Sequence, residues 1–562
     1  MTEPTERPRR RLYLLHRWIG LLFALLGMVV FFSGAVATFH HELDIWGGRG
    51  DIFVAPQDIE SFDFDNAYRV ASAGIDPKYL HQVDIFAGEG RPLQFFFHEH
   101  IPDETGVQEV GVARDLDPAT LAVVDERAGD GTEALRPRPA HALSRFFLDL
   151  HIFLLMPETL GLIATGFAGF ALLLLIATGT LVHRPTTDKL GRRPRTHRKR
   201  LFVGDLHTLV GSWSLPFTVI VALTGTFFSF AGVMLVPVVA IVAFDGDQEA
   251  LVRTVIGSVP VAESDLTASL QPIVSDALER QQEARLVRIG LDHWEALDAT
   301  ATVSLVERSP FGDTPINLVY DGHTGEFLQE KPMLGTQPSL SNTLLALVAD
   351  LHFGTLFGVL TKLIWGILGF ATCALAATGL LIYIARRRDP NDATTRFVRA
   401  MTVALSGGLP LGTGAAFLAW IGAYAAGAPD PRTAMTWVFV SALALSACLG
   451  AVTRVRPALA ITWAASGLAL LGAVVFAPVA TDMSLASVWA DVSLRHTLIV
   501  DASLVAIGAS FVVGAALAHR SWRIRAFDTR EDAALAGDDL VEPEWGEPVE
   551  VSPLRGTQKG ST

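Results

Sequence analysis

Four histidines recur at matching positions in stretches of the chain that are otherwise apolar. His16 is followed by Gly20 and Gly34, and His207 is followed at the same steps by Gly211 and Gly225. His151 closes the run Phe147-Leu148-Asp149-Leu150-His151, and His352 closes a similar run ending Asp350-Leu351-His352. Neutral imidazole is a metal ligand, and two imidazoles on facing helices are the usual axial pair of a low-spin b-type haem with no open position. Gly20, Gly34, Gly179, Gly211, Gly225 and Gly379 would let helices approach one another, or approach a flat macrocycle. A histidine at a span end can equally face headgroups or water, and glycines at helical spacing are commonly plain packing. The repetition favours chemistry, because packing alone rarely puts one imidazole at the same depth of two helices.

The other histidines carry weaker signals. His183, in LVHRP at the inner end of the second apolar run, stands at the level of His16 and is a possible alternative ligand. Its counterparts in the repeat are aliphatic or aromatic, Ile382 and Tyr383, so it ranks second to the repeated four. His40-His41-Glu42 could line an outer haem or receive a substrate, though an interfacial role is the simpler reading. His98-Glu99-His100 puts two imidazoles on one face if the segment is a strand, a weak metal site that lacks further ligands. His197 sits among arginines as a solvated loop residue, and His496 reads as interfacial.

These residues need apolar helices to hold them. Half of the 562 residues are hydrophobic and the mean hydropathy is +0.38, which describes an integral membrane protein with extramembrane parts. A crossing needs about 20 apolar residues. Eight such runs fall near 18–39, 160–182, 209–241, 361–384, 401–425, 434–452, 458–478 and 497–518. Basic residues cluster before the first run (Arg7 to Arg11), between the second and third (Arg184 to Arg200), and after the fourth, sixth and eighth. Every second loop is therefore basic, which places both termini in the cytoplasm. On the first run, His16 and Gly34 are separated by roughly 27 Å at about 1.5 Å per residue, close to the hydrocarbon thickness.

The alternate loops are the outer ones, and two are long. Residues 42–142 and 245–342 each mix strand-like runs with turn residues and read as small α+β units. INLVYDGHTGEFLQE is the clearest hairpin, with LDPATLAVV as a weaker counterpart. The chain divides into 1–41 (N-terminus and first span), 42–142 (first outer unit), 143–183 (outer-face helix and second span), 184–200 (basic loop), 201–244 (third span), 245–342 (second outer unit), 343–386 (outer-face helix and fourth span), 398–520 (spans five to eight) and 521–562 (a disordered cytoplasmic tail). The unit of span, outer segment, Asp-Leu-His run and span occurs twice in one orientation. It predicts a parallel repeat about an axis along the membrane normal. The fold class expected is an α-helical integral membrane protein of about eight transmembrane helices with two small α+β outer domains.

Absent motifs narrow the chemistry. Cys373 and Cys448 both lie within spans, and no CxxCH, GxGxxG after a strand, Walker A, GxSxG or HExxH occurs. Neither nucleic acid nor a nicotinamide, flavin or ATP site is implied. Electrons would have to come from a separate donor; the basic 184–200 loop could dock an acidic one, though plain topology signalling is the simpler reading of its charge.

The stretches LHRWIGLLFALLGMVVFFSGAVATFHHELDIW, DLHTLVGSWSLPFTVIVALTG and LHFGTLFG with GFATCALAATGLLIYIARRR resemble the PepSY-associated transmembrane helix family, and YDGHTGEFL is similar to the turn of PepSY domains. The resemblance covers about residues 10–390. It implies an inner-membrane di-haem protein of the siderophore-iron reductase type, with His16, His207, His151 and His352 as axial ligands of two b-type haems. It leaves open which histidine pairs with which. It further implies a cytoplasmic donor, a ferric chelate as outer acceptor and PepSY-like domains outside. Two other readings stand beside it: a transporter of an iron chelate, which the lack of interrupted helices disfavours, and a non-enzymatic scaffold that restrains a protease. Spans five to eight, with Asp482, Asp491 and Asp501 near the last of them, have no assigned role.

Overall fold

The computed structural model describes residues 6–48, 62–87, 91–103, 106–135, 138–183, 194–195, 199–243, 268–309, 312–331, 340–387, 389, 391–483 and 495–526. Most of the 184–200 loop, with His197, lies outside them, as do Asp491 and the tail beyond 526. In chain order the helices are α1 (Glu6–Ala37), α2 (His40–Gly48), α3 (Phe64–Ser72), α4 (Gly131–Ala134), α5 (Ala142–Ile152), α6 (Glu158–His183), α7 (Lys199–Trp213), α8 (Leu215–Ala243), α9 (Leu270–Arg280), α10 (Leu340–Phe353), α11 (Val359–Ala385), α12 (Ala393–Val403), α13 (Leu409–Ala425), α14 (Pro431–Val452), α15 (Val455–Ala480) and α16 (Arg495–Ala526). The strands are β1 (Gln82–Phe86), β2 (Leu93–Asp103), β3 (Gly106–Leu116), β4 (Val123–Asp130), β5 (Ala284–Asp292), β6 (Thr300–Ser309), β7 (Gly312–Asp321) and β8 (Phe327–Lys331).

Among the described residues, seven helices are long and apolar enough to cross a membrane, and α7 with α8 supplies an eighth crossing if the bent pair is one span. Large apolar side chains such as Leu22, Ile367 and Val479 are exposed on these helices, as suits rods whose backbone polar groups are satisfied internally and whose sides meet lipid. The protein is a multi-pass membrane protein. α1 packs against α5, α6 and α11, while α6 packs on α8, α7 on α11, and α10 on α8. The later helices α12 to α16 pack mainly among themselves.

The third apolar run differs from the unbroken span that its hydropathy predicts. It bends by 63° between α7 and α8. Ser214 occupies the break, and Pro216 follows at the second position of α8 without an N–H to give to the preceding turn. Backbone bonds from Ser214 N to Val210 O and from Thr218 N to Ser214 O, both 2.9 Å, keep the chain hydrogen-bonded through the bend. The fifth run is continuous from Ala393 to Ala425, with a π-helical stretch at Ala404–Gly408 ahead of Pro410.

Among the described residues, the two long segments 42–142 and 245–342 enter one antiparallel sheet of eight strands, ordered β4-β3-β2-β1-β5-β6-β7-β8. The two expected units are thus two four-stranded meanders joined edge to edge, with Gln82 to Phe86 of β1 paired against Asp292 to Arg288 of β5. Alone, each meander would present a bare edge strand, and pairing them satisfies both rows of backbone groups. Val83 and Ile85 alternate to the same side as Ile289 and Leu291, where α3 and α9 cover them with Phe64, Ala67, Ile273 and Val274. Phe95 and Phe97 are fully buried in this core, and each such ring contributes about 1.5–3 kcal/mol. Phe96 points to the other face, packed with Ala113 and Ala134. The β3–β4 and β7–β8 turns share one device. Asp117 Oδ1 accepts from the backbone of Ala119 and Thr120, and Asp321 Oδ1 accepts from His323 and Thr324.

Buried polar and aromatic contacts tie α2 and α5 to the later helices. Trp46 of α2 is fully buried between Phe417 and Trp420, and its indole donates to Asp501 Oδ1 of α16 at 2.7 Å. Trp420 donates to the Pro139 carbonyl at 3.0 Å, just before α5. α5 is further clasped by Phe147 against Phe417 and Phe146 against Phe439. Spans five to eight therefore buttress α2 and α5.

Candidate functional site

The four repeated histidines meet in two pairs. His16 at the start of α1 faces His207 on α7, ring centroids 6.4 Å apart and ring planes at 84°. His151 near the end of α5 faces His352 near the end of α10, with centroids 6.2 Å apart and planes at 30°. An imidazole nitrogen sits about 2.0–2.1 Å from a first-row metal with its ring centroid roughly 1.1 Å behind, so two imidazoles on one iron hold their centroids about 6.3 Å apart. Both pairs have that separation. Each can hold one metal-centred group.

Second partners set the tautomer of every ring. His16 Nδ1 donates to Leu175 O at 3.2 Å and to Thr178 Oγ1 at 3.1 Å. His207 Nδ1 makes the equivalent bonds on α11, to Leu375 O and Thr378 Oγ1, each at 3.0 Å. His151 Nδ1 donates to Val30 O at 3.0 Å, and His352 Nδ1 to Thr224 Oγ1 at 2.9 Å. The threonine hydroxyls have spent their own protons on Leu174 O, Leu375 O and Ile220 O, so they can only accept from the imidazoles. Each Nδ1 is therefore the protonated nitrogen, and the lone pair is on Nε2, the arrangement that orients ligating histidines. α5 and α10 lie outside the spans, and there burial lowers the pKa of His151. Burial, and then the neighbouring His151, lowers His352 to about 3. Both rings are neutral at pH 7, the form that ligates.

Four glycines seat these rings. A Cβ at Gly34 would lie 2.8 Å from His151 Cε1, at Gly179 3.1 Å from His16 Cε1, at Gly225 3.1 Å from His352 Cε1, and at Gly379 3.4 Å from His207 Cε1. The other two glycines of the pattern behave differently, since Gly20 meets Leu175 and Gly211 meets Leu375. Each imidazole seat is a hydroxyl residue followed by glycine: Ser33-Gly34, Thr178-Gly179, Thr224-Gly225 and Thr378-Gly379. At three seats the hydroxyl of that dipeptide, on Thr178, Thr378 or Thr224, is itself a partner of the imidazole, whereas Ser33 donates to Val29 O and Val30 O instead.

The remaining candidates make other contacts or have side chains outside the described residues. His183 closes α6, and its side chain is outside the described residues, as is that of His496. His40 and His41 are exposed at the start of α2, with His40 Nδ1 bonded to Ala37 O at 3.0 Å. His98 and His100 lie on β2 and are joined by Glu109 of β3, their ligand atoms mutually within 4.8 Å.

Residues 13–386 match the PepSY_TM family, the PepSY-associated TM region. The chain belongs to this family. All four paired histidines and their glycine seats fall within the matched PepSY_TM residues, whereas α12 to α16 lie beyond them. An uncharacterised protein of Pseudomonas aeruginosa, PA4219, is 26% identical over 263 residues, 44% of this chain. The chain spans 65% of the length of that relative.

Proposed function

We propose that this PepSY_TM protein carries electrons across a bacterial inner membrane through two b-type haems, from a cytoplasmic donor to a ferric chelate outside. The observation that carries the reading is the pair of centroid separations, 6.4 Å and 6.2 Å, which fit two imidazoles on each of two irons. His16 and His207 hold the inner haem and His151 and His352 the outer one. When bound, each haem supplies a one-electron ferric/ferrous couple. The protein's part is positional. Leu175 O with Thr178, Leu375 O with Thr378, Val30 O, and Thr224 fix the four rings, and the glycines bring helix backbones against them. α1 belongs to both sites, since it bears His16 and seats His151 at Gly34, roughly 27 Å further along the helix.

In this reading the two halves form a parallel repeat, the sheet is a fused pair of PepSY-like domains on the outer face, and both termini are cytoplasmic. One electron delivered outside converts the chelated ferric ion to ferrous iron, a less highly charged ion that hard oxygen ligands hold less firmly. The test is a proteoliposome loaded with dithionite and bathed in a ferric hydroxamate and a ferrous-specific dye. Reduction outside is expected only with haem-loaded protein and is lost when His151 or His352 is replaced. Haem-loaded protein that leaves the external chelate ferric overturns the proposal.

The 63° break between α7 and α8 favours a second reading, uptake of the intact chelate, because discontinuous helices line many transport sites. Accumulation of labelled chelate in vesicles without any reductant would select it.

A further inference from the structure

We propose that His98, His100 and Glu109 form a binding site for a divalent first-row transition-metal ion on the polar face of the sheet. The site stands independently of the electron-transfer reading.

β2 turns Phe96, His98 and His100 to one face, opposite the core face of Phe95 and Phe97. β3 runs antiparallel beside it in a register that sets Glu109 across from His100 and Gly111 across from His98. Two imidazoles and a carboxylate thus converge from adjacent strands, with all ligand atoms mutually within 4.8 Å. Three features of the cluster suit a metal ion. First, His100 Nε2 and Glu109 Oε1 are 3.7 Å apart, within ion-pair distance but too far for a hydrogen bond. That spacing is close to the edge, about 3.4 Å, of a tetrahedron with metal–ligand bonds of about 2.1 Å. Second, His98 is held ready: it is 4% exposed, stacks on Phe96 at 4.5 Å and 8°, and bonds through Nδ1 to Phe96 O at 3.3 Å. A donor at Nδ1 leaves Nε2 as the ligating nitrogen. Third, β3 runs tight against β2 at the cluster, since a Cβ at Gly111 would lie 1.9 Å from Phe97 O and 2.8 Å from His98 Cβ, and only glycine allows that approach.

Asp84 of β1 is on the same face but already paired with Arg288, whose Nε donates to it at 2.8 Å, so the three-residue set is the ligand set. His100 and Glu109 are partly exposed, with side-chain exposures of 24% and 45%, and can close by side-chain rotation around an ion. Two imidazoles with one carboxylate suit iron(II), cobalt, nickel, copper or zinc rather than magnesium or calcium. The set leaves at least one coordination position for water or a ligand.

Zinc(II) is the probe, because an N/O site holds it more tightly than iron(II). The full-length, detergent-solubilised protein is dialysed against zinc chloride, and bound zinc is counted by mass spectrometry beside isothermal titration. Glu109→Gln keeps the shape and removes the anion, and His100→Gln removes the exposed imidazole. His98 is left alone, because replacing a buried ring could unfold the sheet. Wild type is expected to bind one zinc more than the Glu109→Gln/His100→Gln double variant, and each single variant to lose at least about tenfold in affinity. The zinc X-ray absorption spectrum should show imidazole scattering. Equal zinc stoichiometry and affinity in wild type and the double variant would overturn the proposal.

Discussion

Gly34→Ala separates the chemistry of the imidazole seats from the stability of the helices that carry them. The added methyl would sit 2.8 Å from His151 Cε1 and 3.0 Å from Nδ1. Non-bonded carbons rest about 3.5–4.0 Å apart, so the ring must move by roughly 0.7 Å or more. His151 is pinned from the same helix by its 3.0 Å bond to Val30 O, and moving the ring strains that bond. Overpacking of this kind costs about 1–3 kcal/mol, while replacing a helical glycine by alanine returns about 1 kcal/mol of propensity. The net effect on folding is therefore small, about 0–2 kcal/mol. Its effect on the ligand is larger, because disturbing the group that orients a ligating histidine costs about 10–100-fold in affinity. Purified Gly34→Ala is expected to remain monodisperse with near-normal helicity and to fall from two haems per chain toward one, measured as the pyridine haemochrome against protein. Gly20→Ala is the matched control, for its Cβ would meet only Leu175 Cδ2 at an ordinary 3.6 Å. Retention of both haems in Gly34→Ala, or equal loss in Gly20→Ala, would refute the seating argument.

Three further outcomes follow from the same geometry. The ring planes differ, 84° in one pair and 30° in the other, so the oxidised protein should give two low-spin EPR signals: one highly anisotropic from crossed imidazoles and one rhombic from near-parallel ones. A single rhombic signal at full loading would contradict the crossed pair. Thr224→Val removes the 2.9 Å acceptor of His352 Nδ1 and should speed haem loss to apomyoglobin about 10–100-fold, whereas Thr378→Val should do less, because His207 retains Leu375 O at 3.0 Å. Equal rates in the two variants would show that the hydroxyl is not what orients His352. Trp46→Phe deletes the indole donor to Asp501 and should cost about 1–3 kcal/mol, read as a lower Tm with both haems kept. An unchanged Tm would remove the clasp from the account.

The spans are legible because about 20 apolar residues in a row have few alternatives to a crossing helix. The histidine pairs are legible as a repeat, since His16 and His207 share their spacing to glycine and His151 and His352 share the Asp-Leu-His run. Their second partners are not. The bond from His16 to Thr178 joins residues 162 positions apart, and no local pattern encodes such a distance. The bend at Ser214 is invisible to hydropathy, which scores apolar content and ignores the N–H that Pro216 lacks. The single sheet escapes for a related reason. β1 and β5 each look like ordinary edge strands, and only their meeting across some 200 residues of chain shows that they complete one another. The clasp of Trp46 by Asp501 also spans the chain, 455 positions, which is why spans five to eight have no evident purpose until they are seen against α2 and α5.

In the proposed function, the two facing imidazole pairs each hold an iron porphyrin. Haem per chain, with the dithionite-reduced minus oxidised spectrum of the detergent-solubilised protein, tests it most directly. Two b-type haems are expected, with one lost when His16 or His207 is replaced and the other when His151 or His352 is replaced. Intact, folded protein from haem-replete cells that shows no Soret band, or variants that keep both haems, would contradict it.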